Sequence, residues 1–248
     1  MNRRTLVVIP TYNEARTVES IVARVRRAEP SVEILIVDDA SPDGTGLIAD
    51  RLAADDTAVH VLHRPGKAGL GTAYVAGFTW AFGRGFDAVI EMDADGSHQP
   101  EELHRLLDAL GSADLVLGSR YVPGGRIENW PRRRKLLSAG GNRYTRAVLG
   151  VPVRDATGGY RAFRTAALKE LDLESVHSHG YCFQVDLVRR ALDAGMRVVE
   201  VPITFVERVE GTSKMTGGIV AEALWRVTGW GLARRVDQLQ SWARGGSR

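Results

Sequence analysis

Two carboxylates, Asp93 and Asp95, flank Ala94 directly after the apolar run Asp87-Ala-Val-Ile-Glu-Met92. Carboxylates two residues apart at the end of a strand can face one cleft if the strand breaks there. Crowded negative charge of this kind is relieved by a divalent cation. Mg²⁺ or Mn²⁺ takes carboxylate oxygens and keeps coordination positions for phosphate. Asp-x-Asp by itself is also the pattern of a turn with an Asx cap. Its place after an apolar strand, in a chain with other acidic strand ends, turns the reading toward metal. Asp38-Asp39 closes a second apolar run. A carboxylate there commonly receives a ribose hydroxyl or a base N–H, or it supplies negative charge to the start of the next helix. No G-x-G-x-x-G follows the first strand and no Walker A motif occurs, which excludes a Rossmann dehydrogenase and a P-loop kinase.

The elements that must position these groups alternate. Thr5–Pro10, Glu33–Asp38, Val59–Leu62, Asp87–Met92 and Asp114–Leu117 are short apolar, β-branched runs that read as buried strands. Helical periodicity lies between them, over Thr17–Arg27, through Leu47, Ile48 and Leu52, over Leu70–Phe82 despite its glycines, and over Glu101–Leu110 behind Pro100. Such alternation implies an α/β fold with a mostly parallel central sheet covered by helices on both faces. Ligands of such sheets bind beyond the carboxyl ends of the strands, which points to Pro10–Glu14, Asp38–Ser41, Asp93–Asp95 and Gly118–Arg120. The second half is less regular. Helices are expected over Lys135–Leu149, Ala166–Leu171, Gln184–Ala194 and Ile219–Val236, and a late strand over Val198–Val206 with Pro202 at an edge or bulge. The expected division is a catalytic domain over residues 1–215 and a C-terminal amphipathic helix with a tail over 216–248.

The chain has 248 residues, 44% hydrophobic and 25% charged, an ordinary globular composition that argues against wholesale disorder. It contains no run of about 18 uninterrupted apolar residues, and Met1–Arg4 leads straight into a strand without room for a signal peptide. A single cysteine, Cys182, excludes an internal disulfide and a multi-cysteine zinc site; it reads as a buried small hydrophobe. These features together place the protein in the cytoplasm. His60 and His63, and His177 and His179, lack a third ligand at matching spacing and read as surface or structural groups. The net charge of +3 conceals an asymmetry: Arg120 to Arg164 holds eleven Lys/Arg against Glu128 and Asp155. A block carrying +9 is either a solvated basic face or a surface for a polyanion: phosphate, nucleic acid or an anionic membrane.

Six segments occur in order: Val8-Ile-Pro-Thr-Tyr-Asn-Glu14, Val37-Asp-Asp-Ala-Ser-Pro-Asp-Gly-Thr45, Gly69-Leu-Gly-Thr-Ala-Tyr74, Met92-Asp-Ala-Asp95, Gly118-Ser-Arg-Tyr121 and Asn129-Trp-Pro131. Together, over roughly residues 5 to 215, the chain resembles the family 2 glycosyltransferases of GT-A fold, and among them the dolichol/polyprenol-phosphate mannose synthases. The resemblance implies transfer of mannose from GDP-mannose to a polyprenyl phosphate with inversion at the anomeric carbon. It implies a nucleotide pocket at Pro10, Tyr12, Glu14, Val37 and Asp39, and a metal and diphosphate motif at Asp93, Ala94 and Asp95. It puts the acceptor phosphate on Arg120 and Arg134, with Ser138 one helical turn further. A late basic loop with Arg208 and Lys214 would close over the donor diphosphate. Ser97 stands where many relatives carry a metal-ligating glutamine, so a hydroxyl or a water would take that place.

The residue types suit this chemistry. A cation on Asp95 and Asp93, with Arg208 and Lys214, would stabilise charge where it develops on the leaving diphosphate. A phosphate nucleophile is already ionised and needs positioning more than deprotonation. Asp186 could serve as a base; its other reading is a helix-face carboxylate. The Q-x-x-R-W motif of processive synthases is absent, since Gln184 is followed by Val-Asp-Leu. Arg132-Arg-Arg-Lys135 beside Trp130, and Trp225 and Trp230 in the C-terminal helix, suit an anionic membrane surface. A separate membrane protein is the alternative anchor. UDP-glucose or UDP-N-acetylglucosamine is the alternative donor. A nucleic-acid-binding role for the basic block finds no motif to support it.

Overall fold

Strand β1 (Thr5–Thr11) and strand β2 (Glu33–Asp38) are buried on both faces, as their unbroken apolar sequences require. The computed structural model describes residues 3–176, 180–207 and 224–235. Helix α1 (Val18–Ala28) joins the first two strands. Helix α2 (Thr45–Asp55), β3 (Val59–His63), α3 (Leu70–Phe82), β4 (Ala88–Glu91), α4 (Leu103–Ala109) and β5 (Leu115–Ser119) follow. The second half consists of β6 (Arg126–Glu128), α5 (Arg132–Leu149), β7 (Arg161–Arg164), α6 (Thr165–Lys169), α7 (Tyr181–Asp193), β8 (Val198–Pro202) and β9 (Thr204–Val206). A further helix covers 224–235.

Seven strands form one sheet in the order β3-β2-β1-β4-β7-β5-β8, and β6 pairs with β9 in a small second sheet. Among the described residues only β7 runs antiparallel to its neighbours in the large sheet. The chain first winds outward from β1 through β2 to β3, then returns to lay β4 on the other side of β1. That reversal opens a crevice beyond the carboxyl ends of β1 and β4, where ligands of such sheets bind.

Period-2 alternation divides the core between the two sheet faces. Leu6, Val8, Leu35 and Val37 pack with Phe78 of α3 and with Phe183, Leu187 and Val188 of α7. Val7, Ile9, Ile34 and Ile36 pack with Val18, Ile21 and Val25 of α1 and with Leu103 and Leu106 of α4. The glycines of α3 are contact points: a Cβ on Gly77 would stand 2.5 Å from Val8 Cγ1, and one on Gly71 2.7 Å from the Phe183 ring. Their bare backbone lets α3 lie close on the sheet.

The structure departs from the sequence expectations in several places, among them β6, which was not expected, and α7, which begins at Tyr181 instead of Gln184. The single late strand expected over Val198–Val206 is two strands in different sheets. β8 ends on Pro202 at the sheet edge, and the chain then crosses at Ile203 to pair β9 with β6. β7 carried no strand signature, because Arg161 and Arg164 bracket only Ala162 and Phe163; it inserts with Arg161 directly opposite Glu91 of β4. α5 begins at Arg132, three residues before the expected Lys135, with Pro131 as its N-cap. The C-terminal helix expected over Ile219–Val236 is described at 224–235. There it packs on α5 through the Tyr144–Thr228 hydroxyl pair at 2.6 Å and through buried Val227; its remainder lies outside the described residues.

Candidate active site

The β1–β4 crevice continues into a cleft of about 340 Å³ that reaches across to α5 and α7. One end follows β1 and β2. Pro10, Tyr12, Glu14 and Asp39 all line it, and Lys67 stacks over the Tyr12 ring at 4.0 Å. The two adjacent aspartates divide their roles. Asp38 accepts from Thr11 Oγ1 at 3.1 Å and from Ser41 Oγ at 2.6 Å, so it braces the turn. Asp39 faces the cleft and is held by Arg64 at 2.5 Å. Val37 does not join them. Its side chain is fully buried in the core beneath α3, because strand alternation turns it away from the face the cleft uses.

Asp93, Ala94 and Asp95 follow β4 at the centre of the cleft. Tyr74 donates its hydroxyl to Asp93 Oδ1 at 3.1 Å, and the Ser97 amide donates to Asp95 Oδ1 at 3.0 Å. Burial, followed by the Asp93 charge, raises Tyr74 well above the usual phenol value, so the hydroxyl remains a donor. Ser97 Oγ is buried without a hydrogen-bond partner, and it lines the same cleft. Two carboxylates and an orphaned hydroxyl are the hard oxygen donors that Mg²⁺ or Mn²⁺ takes. Among the described residues no group of three His, Cys, Asp or Glu forms a complete protein cage. The residues therefore fit a cation that completes its shell with diphosphate oxygens and water.

His98 escaped the sequence reading, although it stands three residues after Asp95. It is buried, its Nδ1 accepts from the Asp93 amide at 3.1 Å, and its Nε2 lies 4.0 Å from Asp93 Oδ2. Accepting at Nδ1 assigns the proton to Nε2, and burial lowers the imidazole pKa further toward the neutral form. The ring stacks on Tyr160 at 5.0 Å and meets the edge of Phe205 at 5.6 Å.

The third side is cationic. Arg120 follows β5 and is almost fully buried. Asp155 takes its Nε and Nη2 at 2.7 Å each and its backbone amide at 3.0 Å, and Thr157 takes Nη2 at 2.9 Å. Burial pushes the Asp155 carboxyl up, but the Arg120 charge and its hydrogen bonds outweigh this and hold it below the ordinary value. Arg134, one turn into α5, pairs with Glu207 and lies over the Trp130 ring at 4.0 Å. Its Nε is buried without a partner. Both guanidinium groups line the cleft with Trp130 and Phe205. Trp130 is therefore a buried wall of the site, not an interfacial anchor.

Ser138 lies one turn beyond Arg134 but outside the cleft lining. It sits beside Tyr121, and its carbonyl accepts from Asn142. Arg208 and Lys214 lie outside the described residues, as do His177 and His179. His60 and His63 form surface pairs with Glu33 and Asp50, away from the cleft. Cys182 is buried, as expected. Asp186 is ion-paired on its own helix with Arg189 and Arg190, which supports the helix-face reading over that of a base.

The basic block is likewise divided. Arg161 is fully buried and donates to three carbonyls at 2.7 Å, those of Ala156, Gly158 and Gln184; burial lowers its pKa to about 10. Arg132, Arg133, Arg143, Arg146 and Arg154 are exposed. The last three line a wide groove on the flank of α5 with Ala139, Ala147 and Pro152.

Comparisons with known proteins agree with this arrangement. The profile of "Glycosyl transferase family 2" matches residues 6–172. The polyprenol monophosphomannose synthase of Mycolicibacterium smegmatis is 57% identical over 244 residues, 98% of this chain and 92% of that protein. The undecaprenyl-phosphate mannosyltransferase of Micrococcus luteus is 56% identical over 238 residues, 96% of this chain and 98% of that protein. Among solved structures, glucosyl-3-phosphoglycerate synthase from Mycobacterium tuberculosis with phosphoglyceric acid superposes with a TM-score of 0.69. It is 20% identical, over 92% of this chain and 80% of that one. The same enzyme with Mn²⁺, UDP-glucose and phosphoglyceric acid gives 0.66 over the same shares. At that identity the likeness is one of fold, and the fold is GT-A. By sequence over nearly its whole length, the chain belongs to glycosyl transferase family 2, in the group of polyprenyl-phosphate mannose synthases.

Proposed function

We propose that the protein transfers mannose from GDP-mannose to a polyprenyl phosphate, inverting the anomeric carbon and releasing GDP. The observation that carries this reading is the convergence, in one cleft, of the Asp93–Asp95 pair with the Arg120–Arg134 pair. The acidic pair suits a metal-bound diphosphate, and the basic pair suits a second, separate phosphate. The names of the two relatives support mannose as the group transferred and a polyprenyl phosphate as the acceptor.

In this reading Pro10, Tyr12, Glu14 and Asp39 hold the nucleoside, with Asp39 fixed by Arg64 to receive hydroxyl or N–H donors. Mg²⁺ or Mn²⁺ on Asp93 and Asp95, with the Ser97 hydroxyl, would neutralise the diphosphate and ease its departure. The resemblance adds Arg208 and Lys214 to that end. Asp155 and Thr157 lock the Arg120 guanidinium in place, so it presents a fixed donor array to the acceptor phosphate. The unpartnered Arg134 Nε is a second donor, and the phosphate competes with Glu207 for Arg134. A phosphate monoester carries about −1.5 to −2 charge at pH 7, so its oxygen attacks without a catalytic base. Attack from the face opposite the diphosphate inverts the anomeric carbon.

No helix among the described residues is long and apolar enough to cross a membrane. The proposed enzyme meets its lipid peripherally, on the cytoplasmic face. α5 exposes Leu136 and Leu137 beside Arg132 and Arg133, and the helix at 224–235 exposes Trp225. Apolar side chains flanked by arginine suit an anionic bilayer surface. A membrane protein bound to residues 216–248 is the alternative anchor for the catalytic domain of residues 1–215.

The test is a transfer assay with purified protein, a short polyprenyl phosphate and Mg²⁺ or Mn²⁺, offered GDP-mannose, UDP-glucose and UDP-N-acetylglucosamine separately. Lipid-extractable label from GDP-mannose alone, lost with EDTA, is the expected result. Label from a UDP-sugar overturns the donor, and transfer that persists in EDTA overturns the metal.

A further inference from the structure

The proposed mechanism gives no work to a buried amide in the cleft. Gln184, in the first turn of α7, is 3% exposed and lines the cleft. Its buried polar neighbour is the Glu91 carboxyl, but neither its Oε1 nor its Nε2 reaches hydrogen-bond geometry with any group. Buried amides are rarely left this way, and a ligand group is one explanation.

The surroundings define what that group would be. A Cβ built on Gly159 would stand 3.8 Å from Gln184 Nε2, 3.8 Å from Asp93 Oδ2 and 3.5 Å from His98 Cε1. Three side chains, two from the loop after β4 and one from α7, thus surround one small space, and it stays open because residue 159 has no side chain. The same guanidinium holds both walls: Arg161 donates to the Gly158 carbonyl and to the Gln184 carbonyl at 2.7 Å each. The chamber is preorganised and borders the Asp93 carboxylate, yet the group it presents is a neutral amide. A phosphate is better met by guanidinium groups, which stand at Arg120 and Arg134 instead. A hydroxyl donates and accepts, as a primary amide does.

We infer that Gln184 binds a hydroxyl of the transferred hexose, and that Gly159, by lacking a side chain, leaves the gap between Gln184 and Asp93 open to that hydroxyl. The inference rests on reading the cleft as a nucleotide-sugar site. It makes Gln184 a determinant of sugar recognition, distinct from the nucleotide contacts and from the acceptor arginines.

The experiment compares wild type with Gln184→Leu and Gly159→Ala in the full chain. Leucine is apolar and close in size, and the contacts of the Gly159 Cβ are all at ordinary van der Waals distance, so both variants are expected to fold. Calorimetry reads the affinity for GDP and for GDP-mannose, and transfer is measured with GDP-mannose and its monodeoxy analogues. In both variants GDP affinity is expected to stay within about twofold, while kcat/KM for the sugar nucleotide falls about 10- to 100-fold. One deoxy analogue should cost the wild type a similar factor and cost Gln184→Leu nothing further. Wild-type transfer by Gln184→Leu overturns the inference. So does an equal loss of GDP and GDP-mannose affinity, which would mark a merely structural role. If the wild type instead uses a UDP-hexose, the donor assignment fails, and the same ratio is read on UDP and that donor.

Discussion

Replacing Asp155 by asparagine should damage stability and acceptor binding together. The carboxylate is fully buried, and the Arg120 side chain it holds is 4% exposed. Asparagine keeps the shape but turns one oxygen into a donor facing the guanidinium and leaves the Arg120 charge uncompensated. Removing one partner of a buried pair costs about 3–5 kcal/mol. With a urea m-value of about 3 kcal/mol/M, the midpoint falls by roughly 1–1.7 M. The sign with pH follows from the lowered folded pKa of Asp155. Its stabilisation is complete above the ordinary value of 3.8 and is lost as pH falls through the depressed folded value. The gap between wild type and Asp155→Asn should therefore be constant from neutral pH down to about 5 and close only at stronger acid. The KM for polyprenyl phosphate should rise while GDP affinity holds, since Asp155 touches Arg120 and none of the nucleotide end. The paired replacement Arg120→Met with Asp155→Leu should recover stability relative to Asp155→Asn without recovering transfer. Urea curves at several pH values and acceptor kinetics decide the matter. Unchanged stability together with an unchanged acceptor KM in Asp155→Asn would refute the reasoning.

Three further outcomes are expected. Arg134→Ala should raise the KM for polyprenyl phosphate about 10- to 100-fold, as loss of a charged hydrogen bond implies, with a smaller effect on GDP-mannose; the opposite ratio would mean the acceptor lies elsewhere. Leu136→Glu with Leu137→Glu should weaken sedimentation with anionic vesicles while leaving GDP affinity intact, and unchanged sedimentation would remove α5 from the membrane face. Burial raises the Glu91 carboxyl from 4.5 to about 8, against the pull of Arg161. The unfolded chain thus loses this proton first, and stability falls between about pH 5 and about pH 8. Glu91→Gln should flatten that part of the urea midpoint profile; an identical slope in both proteins would contradict the assignment.

The first half of the fold was legible because its strands are unbroken β-branched runs and their ends are polar. Strand order was not legible, since β7 has only two apolar residues and takes its place through antiparallel pairing with both β4 and β5. Of the residues the resemblance singled out, Asp39, Asp93, Asp95, Arg120 and Arg134 line one cleft. Val37, whose side chain is aimed into the core, and Ser138, which stands beside Tyr121, do not line it. The sequence reading mistook Trp130 for an interface residue, because local sequence does not reveal that Phe205, from a distant strand, covers it at 5.3 Å. His98, Asp155 and Gln184 come together only in three dimensions. Of these, His98 alone carried a signal, its position just after the acidic motif. The +9 charge of the middle segment could not distinguish Arg161, clamped on carbonyls, from Arg143 and Arg146 in solvent.

The most direct test of the proposed reaction is the anomeric configuration of the product formed from GDP-mannose, polyprenyl phosphate and the divalent cation. A single displacement by the phosphate held at Arg120 and Arg134 predicts a mannosyl phosphate of configuration opposite to the donor's, read by NMR of the extracted lipid, with none formed by Asp95→Ala. A product that retains the donor's configuration, or one that Asp95→Ala makes at the wild-type rate, would contradict the account.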